Sequence, residues 1–403
     1  MDREKRVNDA IALRKPDRVP IVIDFGAFTA QYAHITQEES MGDLGKHLEA
    51  NWKTNTDLAP DLASPPLFLG PVLDALDCKT LKWAGHGLSA DLPFQYVEGE
   101  YMKSEEYNDF LFDPSDFIIR VLWPRIFGKL HAFGTMPPLH TICNHVGGAF
   151  GFLSFGLPGS SETLEALRKA GEESFSQLKA LMDHNRRLGE AGFPGAFAAV
   201  TFAPFDALGD FLRGTRGVML DMYRRPDKVI AACEKLLPMK IREAVATARM
   251  SGNPRVFVPL HKGAEGFMSV DQFRRFYWPT LRELIVALVN EGLTPLVLAE
   301  GRYESRLDII KDVPPGKIIY WFEDTEMVKA RDALRERACV MGNVPASVLV
   351  TGTPEETKEC CKRLIDTAGR NGGYIMSSAA SPEDSKPENI RAMFEFTKEY
   401  GIY

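Results

Sequence analysis

Short apolar runs alternate with longer amphipathic stretches along the chain from about residue 195 onward. A short run rich in Val, Ile, Leu and aromatic residues predicts a buried strand, and an amphipathic stretch predicts a helix that covers it. Strict alternation of the two is typical of parallel β/α units. The predicted strands are 197–203, 255–261, 296–300, 317–322, 339–343 and 374–376.

The first 195 residues follow a less regular pattern. Residues 19–24 predict a first buried strand between flanking prolines, and residues 58–73, rich in Pro, Leu and Asp, predict irregular structure. The other periodic stretches predict a short helix at 2–14, a helix at 39–54, broken helical structure at 105–135 and a pair of helices at 160–191.

Residues 78–104 show little helical periodicity and carry several aromatic side chains. The alternation of Phe94, Tyr96 and Glu98 predicts a strand, so we expect a β-hairpin inserted in the N-terminal part. The whole covering insertion is expected at about 60–110. The alternative interpretation is an ordinary covering hairpin with no role in binding.

The number and spacing of the predicted strands favour one closed domain over residues 1–403. At least seven strands of similar spacing indicate a (β/α)8 TIM-type barrel in preference to an open, doubly wound sheet. The first strand is not followed by the G-x-G-x-x-G pattern of dinucleotide-binding folds. The sequence therefore predicts an α/β barrel enzyme.

Composition and charge exclude several other classes. The net charge of −7 without a basic cluster argues against nucleic acid as a partner. The apolar runs are broken by Pro, Gly and Asp, and the charged start lacks the apolar core of a secretory signal, so we expect neither a membrane span nor secretion. Six cysteines without a C-x-x-C pair are typical of a reducing cytoplasm.

In a barrel of parallel strands, functional residues follow the carboxyl ends of the strands. This placement selects candidates from the strand prediction alone. The polar side chains at these positions are Asp24, Asp206, Asp210, His261, Lys262, Glu300, Arg302, Glu323, Asp324 and Asn343.

Glu300 and His261 predict either a general acid/base pair or two ligands of a metal ion. Lys262 or Arg302 would hold an anionic group of a substrate. Each residue also has a structural interpretation, such as Asp206 capping the helix that follows it or Glu300 pairing with a nearby arginine. A barrel mouth lined with charge normally binds a ligand, which favours function for the set as a whole.

Motifs spread over nearly the whole chain point to one family. They are Pro16-Asp17-Arg18-Val19-Pro20, Leu212-Arg213-Gly214, Asp221-Met222-Tyr223-Arg224-Arg225-Pro226, Phe267-Met268-Ser269, Phe276-Tyr277-Trp278-Pro279, Gly342-Asn343-Val344, Gly352-Thr353-Pro354-Glu355 and Pro387-Glu388-Asn389. With these motifs the chain resembles the uroporphyrinogen decarboxylase superfamily, which also contains cobamide-dependent methyltransferases. The resemblance implies a TIM-type barrel with its pocket at the carboxyl-terminal mouth.

The chain departs from the decarboxylases of that superfamily at their substrate-binding positions. Those enzymes grip substrate carboxylates with an arginine-bearing turn after the first strand, whereas residues 23–28 here contain Asp24 and no arginine. The family's pocket tyrosine falls at about Asp210, and its late Gly-His-Gly falls at 378–380. A polycarboxylate would meet carboxylates instead of guanidinium groups, which is an electrostatic mismatch.

The chain also departs from the zinc-dependent methyltransferases. Their His-x-Cys at the end of the equivalent strand, completed by a later Cys, reads here Leu298, Glu300 and about Ala379. Zinc in those enzymes holds a thiol substrate as thiolate, so thiol methylation by that route is not expected. A metal held by Glu300 and His261 in another geometry stays an alternative to a proton donor.

The resemblance implies a corrinoid-linked methyltransferase that works as a demethylase component on a methyl ether or amine. Glu300 and His261 would be catalytic, and a corrinoid (cobalamin) carried by a partner protein would accept the methyl group. The alternatives are a uroporphyrinogen decarboxylase-like decarboxylase or lyase and a non-catalytic tetrapyrrole- or corrinoid-binding barrel; a homodimer is left open. The expected substrate contacts are Asp24, Asp206, Asp210, Lys262, Arg302 and Asn343.

Overall fold

The structure, a computed structural model, describes residues 2–68 and 70–403. Its strands form a small sheet and a large one. In the small sheet, β1 (Leu81–Ala84) lies between β2 (Gly87–Leu88) and β3 (Phe94–Tyr96). The large sheet is parallel and follows chain order as β4 (Ala199–Val200), β5 (Arg255–Leu260), β6 (Thr294–Ala299), β7 (Ile319–Phe322), β8 (Cys339–Met341) and β9 (Tyr374–Ile375).

Two extended segments near the N-terminus join the edges of the large sheet. Each is held by single parallel bridges in place of a ladder, and the ring that results is a (β/α)8 barrel of TIM type, as predicted. The segment at 62–63 lies where the sequence predicted irregular structure. The bridges are Ile21 to Met376, Val22 to Leu62 and Ala63 to Gly195.

Strand alternation separates the barrel interior from the layer beneath the helices. On β6, Leu296 and Leu298 pack in the interior, whereas Val297 and Ala299 pack against the surrounding helices. Apolar residues of the first helix (Arg3–Ile11) belong to the same interior cluster and close the amino-terminal end of the barrel. The interior is therefore solid below its carboxyl-terminal mouth.

Helices cover the barrel in the order that the β/α pattern predicts, and four π-helical turns and four 3-10 segments interrupt or join them in the described chain. The π-helical turns are Ile118–Leu122, Gly209–Arg213, Phe273–Tyr277 and Ile365–Gly369. The 3-10 segments are Gly128–Thr135, Leu139–Ile142, Leu153–Gly156 and Glu304–Arg306. Besides the first helix, the α-helices are Phe28–Ala33, Gln37–Gly42, Leu44–Leu58, Gly70–Leu76, Tyr107–Phe112, Pro114–Phe117, Trp123–Ile126, His145–Gly151, Ser160–Glu190, Pro204–Leu208, Gly214–Arg224, Pro226–Ser251, Val270–Gln272, Trp278–Asn290, Leu307–Ile310, Met327–Leu334, Ala346–Val350, Pro354–Leu364 and Pro387–Tyr400.

Two helix predictions are wrong in their divisions. The helix predicted at 39–54 is two helices, because Asp43 ends the first and caps the second by accepting the Lys46 N–H at 3.0 Å. The pair predicted at 160–191 is one helix of 31 residues, called the long helix below. It runs unbroken through Gly171, and its buried face, small residues before Gly171 and larger ones such as His184 and Leu188 after it, packs on the helices beneath along its length.

The small sheet lies where the sequence predicted a β-hairpin, and a buried polar cluster holds the chain that follows it against the barrel. The wider covering insertion at about 60–110 stays a prediction. The Met102 N–H donates to the carbonyl of Leu212 at 2.7 Å. The Asp221 carboxylate accepts from the Arg213 guanidinium at 2.7 Å and from the Tyr107 hydroxyl at 2.9 Å. Arg213 also donates to the Met102 carbonyl, so this buried cluster ties the chain after the small sheet to the barrel.

Two further features concern the helices and the cysteine side chains. Across residues 2–68 and 70–403, no helix combines the length and apolar character that crossing a bilayer requires. All six cysteines are free thiols. Burial and, to a smaller extent, neighbouring Cys360 raise the pKa of Cys361 to about 12. This thiol therefore stays protonated and unreactive near neutral pH.

The long helix docks on the helix Leu44–Leu58 through buried histidines. His184 Nε2 lies 2.9 Å from Asn51 Oδ1, and His47 Nδ1 lies 2.9 Å from Ser40 Oγ. Burial lowers the pKa of both imidazoles to about 4; the charge of His184 adds to this for His47, and that of Arg187 for His184. Both rings are therefore neutral at pH 7.

We expect the free energy of unfolding to fall as the pH drops from about 6.5 towards 4, because the unfolded imidazoles take up protons that the folded ones do not. The double variant His47→Asn/His184→Gln keeps hydrogen-bonding groups at both places and should flatten this dependence. Urea denaturation at pH 7.5, 6 and 5 measures it. Replacing the exposed His145 by Gln is the control, and an unchanged slope in the double variant would contradict the assignment.

Candidate active site at the carboxyl-terminal mouth of the barrel

The row of interior side chains on β6 ends at Glu300. Leu296 and Leu298 precede it in the same phase, so its carboxyl group rises from the apolar interior into the mouth. The register of the sheet aligns Leu260, Ala299 and Phe322 across β5, β6 and β7. The next residues, His261, Glu300 and Glu323, therefore stand at one level above the interior.

His261 is held between two carboxyl groups. Its Nδ1 lies 2.6 Å from Asp210 Oδ2, and its Nε2 lies 3.7 Å from Glu300 Oε1. The ring also meets the edge of Phe202, with centroids 6.0 Å apart. Burial opposes protonation, but the hydrogen bond to Asp210 and the charge of Glu300 outweigh it and raise the pKa of His261.

Glu300 titrates near neutral pH. The net pKa of Glu300 is about 7. Burial raises the pKa most, the charge of His261 lowers it, and the charge of Glu323 raises it. At 3.7 Å the contact with His261 is electrostatic and is not a hydrogen bond. With its side chain 40% exposed, Glu300 can meet a ligand in the mouth and either donate or accept a proton there.

Asp206 anchors the end of β5 from below. It is fully buried, and its two oxygens accept the backbone N–H groups of His261 at 3.1 Å and Lys262 at 2.9 Å. The Tyr277 hydroxyl donates to the same carboxyl group. Burial and, to a smaller extent, the charge of Asp210 raise the pKa of Asp206 to about 6. Asp206 thus fixes the backbone that carries His261.

Gly263 lets this strand end pass close to two buried rings. A Cβ at this position would stand 2.5 Å from the Tyr303 hydroxyl and 2.9 Å from the Tyr277 ring. Both tyrosines are fully buried. A larger residue at position 263 would therefore displace the buried Tyr277 and Tyr303, against which the backbone after His261 and Lys262 packs.

Asp210 carries a negative charge that two cations neutralise. It accepts a hydrogen bond from His261 and an ion-pair contact from the Lys262 ammonium, which is itself buried. Burial works against ionisation of Asp210, but these two partners outweigh it and lower its pKa. His261, Lys262 and Asp210 therefore form one ion-paired group beside Glu300.

Asp210→Asn is expected to lower the pKa of His261, because a neutral amide replaces the carboxylate at Nδ1 while burial continues to oppose protonation. NMR titration of the labelled imidazole measures the change. The control is Asp324→Asn, which removes an exposed carboxylate paired with Arg302 and should leave His261 unchanged. An unaltered His261 pKa in Asp210→Asn would disprove the role of this hydrogen bond.

The structure joins five of the eight predicted site residues through contacts with one another, and the other three have different partners. The Asp24 carboxyl accepts from Ser64 Oγ at 3.0 Å, and burial raises its pKa. The Asn343 amide donates to two carbonyl groups of the loop after β7. Arg302 forms an exposed pair with Asp324 at 3.1 Å. The group that comes together is Asp206, Asp210, His261, Lys262 and Glu300.

Three further residues shape this site. Tyr277 binds Asp206, and Glu323 Oε2 accepts the Gly301 N–H at 2.5 Å, which fixes the turn after Glu300. Tyr96 of the small sheet is 62% exposed, yet partial desolvation and the charge of Asp210 raise its pKa, so its side chain lies near the Asp210 side of the mouth. The aromatic alternation of 94–98 was the sequence signal for Tyr96.

A cleft of about 810 Å³ lies beside the mouth, between the loops after β6, β7 and β8 and the helix Pro354–Leu364. Arg302, Glu323 and Asn343 line it, whereas His261 and Glu300 do not. The ion-paired group of His261, Lys262 and Asp210 and the Glu300 carboxyl group lie at the barrel mouth. We therefore place the chemistry in the mouth and the cleft at its flank.

The residues of the mouth do not supply the thiolate set of a zinc methyltransferase. Leu298 is buried in the barrel interior, and Ala379 is also buried. Within the described chain, no three His, Cys, Asp or Glu side chains are grouped to hold a metal ion. His261 and Glu300 remain the pair that faces the mouth together.

Comparison with known proteins places these features in context. The family model "Uroporphyrinogen decarboxylase (URO-D)" matches residues 157–400. Uroporphyrinogen decarboxylase of Chlorobaculum parvum is 24% identical over 227 residues, which are 53% of this chain and 61% of that protein. That of Chlorobium phaeovibrioides is 28% identical over 138 residues, 33% of this chain and 38% of the relative. The matches thus span less than two thirds of these relatives.

A solved structure, a methyltransferase from Methanosarcina mazei, shares the fold over the whole chain. The two structures align with a TM-score of 0.65 over 99% of each chain, at 13% sequence identity. Likeness at this identity establishes the barrel architecture alone. The chemistry must be argued from the residues of the mouth.

Proposed function

This chain belongs to the uroporphyrinogen decarboxylase family, and we propose that it is a methyltransferase that demethylates a small methyl ether or amine. The observation that carries the proposal is Glu300, a carboxyl group with a pKa of about 7 that faces the mouth beside His261. Such a group donates a proton efficiently at neutral pH. Demethylation needs that proton because an alkoxide or phenoxide is a poor leaving group.

The methyl donor would lie above the apolar layer of the interior, with its heteroatom toward Glu300. Leu298 and Trp321 lie in that layer, two residues before Glu300 and Glu323 along their strands. As the bond between the methyl carbon and oxygen or nitrogen breaks, the Glu300 proton passes to the leaving atom. Protonated His261, held by Asp210, then stabilises the Glu300 carboxylate across 3.7 Å.

The acceptor in this proposal belongs to a partner. A corrinoid carried by a separate protein supplies the cobalt nucleophile for the methyl group when it docks over the mouth. This chain must only present the methyl carbon to the outside, and the partial exposure of His261 and Glu300 allows that approach. Its own residues bind the donor, orient it and supply the proton.

Decarboxylation of a polycarboxylate is the second candidate, because the curated relatives are named uroporphyrinogen decarboxylases. The charges of the side chains in the mouth disfavour such a substrate. The level above the interior carries Glu300 and Glu323, and the cations beside them, His261 and Lys262, are already engaged by Asp210. A substrate with several carboxylates would add negative charge to carboxylates.

Incubation of the purified protein with cob(I)alamin and a methylated donor separates the two candidates. Aryl methyl ethers, alkyl methyl ethers and methylamines are tested in turn, and methylation is followed by the absorption change of the cobalamin. Uroporphyrinogen is tested in parallel for release of carbon dioxide. Methyl transfer supports the proposal, carbon dioxide release supports the second candidate, and the absence of both overturns the two together.

A further inference from the structure

The long helix presents an exposed apolar stripe to solvent. Leu164, Phe175, Leu178 and Met182 are exposed by 48%, 73%, 39% and 57%, although the opposite face of the helix packs on the helices Gly70–Leu76 and Leu44–Leu58 and on the segment Gly128–Thr135. The helix has 31 residues and is therefore about 46 Å long. A row of large apolar side chains along one exposed helix face is typical of a protein interface.

The spacing between the positions of the stripe is the same when it is counted from either end of the helix. With Gly171 and Gly189 included, its positions are separated by seven, four, three, four and seven residues. In an antiparallel pair of long helices with a two-fold axis between residues 176 and 177, each member meets a partner of complementary size. The opposed pairs are Phe175 with Leu178, Met182 with Gly171, and Leu164 with Gly189.

The two glycines provide the space that this pairing needs. A Cβ at Gly171 or at Gly189 would have no atom within 4 Å, so the surface beside each glycine is open. Met182 and Leu164 of a second copy would fill these openings. Large side chains packed against glycine allow two helices to approach closely and bury their stripe.

Charges along the edge of the stripe have the same symmetry. When the axis is moved by one residue, to between residues 175 and 176, the antiparallel alignment places three acidic side chains opposite basic ones of the second copy, and the two-fold axis repeats every pair. Within one copy these groups form only exposed neighbouring pairs, such as Arg168 with Glu165 at 2.7 Å, which contribute little stability. The cross-copy pairs are Glu165 with Arg186, Arg168 with Asp183, and Glu172 with Lys179.

We propose that the outward face of the long helix is a self-complementary interface at which a second copy of this chain binds in antiparallel orientation. Opposite charges at the edge set the direction and the register, and the apolar stripe supplies the affinity. Such a contact closes as an isologous dimer, because each copy offers the same patch. The interface is independent of the methyl-transfer proposal, since none of its residues belongs to the mouth.

Sedimentation velocity of the full chain over a range of micromolar concentrations tests this interface. The wild-type protein is expected to be a dimer, and Phe175→Glu should raise the dissociation constant at least ~30-fold, the loss typical of a central interface residue. Met250→Glu, which alters an equally exposed apolar residue at the end of another helix, should leave the dimer intact. A monomeric wild-type protein, or a dimer unaffected by Phe175→Glu, would overturn the proposal.

A charge exchange tests the orientation separately. Arg168→Glu and Asp183→Arg should each weaken the dimer, because each places like charges opposite one another across the axis. The double variant restores opposite charges and should recover at least part of the affinity. Circular dichroism confirms that every variant keeps its helix content. Additive weakening in the double variant would exclude the antiparallel register.

Discussion

Glu300→Gln is expected to lower the rate of methyl transfer by about 10²–10⁴-fold, the usual contribution of a general acid. Glutamine keeps the size of the side chain but cannot supply the proton that the leaving oxygen or nitrogen needs. The wild-type rate should also fall above pH 7, because the carboxyl group then loses its proton. This alkaline limb should be absent from the residual activity of the variant.

The control for this substitution is Glu304→Gln. Glu304 pairs with Lys329 at 3.0 Å and lines the flanking cleft, outside the group of residues in the mouth, so its amide variant should keep full activity. A similar rate for Glu300→Gln and the wild-type protein would remove Glu300 from the mechanism.

Loss of activity in Glu300→Gln should not come from unfolding. The folded pKa of Glu300, about 7, lies above its unfolded value, so the free energy of unfolding falls as the pH rises from about 4.3 to 7. At pH 8 the amide removes the cost of holding a partly buried carboxylate. After discounting for its solvent contact, we expect a stabilisation of roughly 1–2 kcal/mol, measurable by urea denaturation.

Asp206→Ala is expected to destabilise the protein by about 3 kcal/mol. The substitution leaves the N–H groups of His261 and Lys262 and the Tyr277 hydroxyl without their shared acceptor in a fully buried place. The midpoint of urea denaturation measures the loss. The loop that carries His261 should also loosen, so activity should fall together with stability.

Two further variants define this effect. Asp206→Asn keeps one acceptor oxygen and should lose less stability than the alanine variant. Asp312→Ala breaks an exposed pair with Arg282 and should change stability by less than about 0.5 kcal/mol. A loss in Asp206→Ala as small as that of Asp312→Ala would show that Asp206 is not an anchor.

The barrel could be predicted because its later strands are short apolar runs between amphipathic helices. The run that ends at Glu300 shows the logic, since the phase of Leu296 and Leu298 directs the next residue of the same row into the mouth. The barrel segment at 62–63 escaped prediction, because it is held by single bridges and is too short to show alternation. The sequence pattern predicts two helices in place of the long helix because polar residues follow Gly171 and interrupt the apolar pattern.

For the candidate site, the strand ends indicate which residues can meet, whereas their contacts depend on packing that the sequence pattern does not show. Strand ends identified His261 and Glu300 as neighbours across β5 and β6, and the structure places them 3.7 Å apart. The burial of Asp206 and its contact with Tyr277 depend on a packing between residues 71 positions apart, which no local pattern encodes. The pKa of Glu300 depends in the same way on burial and on charges from other strands.

A direct titration of the Glu300 carboxyl group tests the central claim, that the barrel mouth holds a proton donor poised at neutral pH. Carbon-13 NMR of protein labelled at the glutamate carboxyl carbon, compared with the Glu300→Gln variant, identifies its signal. We predict a pKa near 7. A midpoint between about 4 and 5, the range of an ordinary glutamate, would contradict this account.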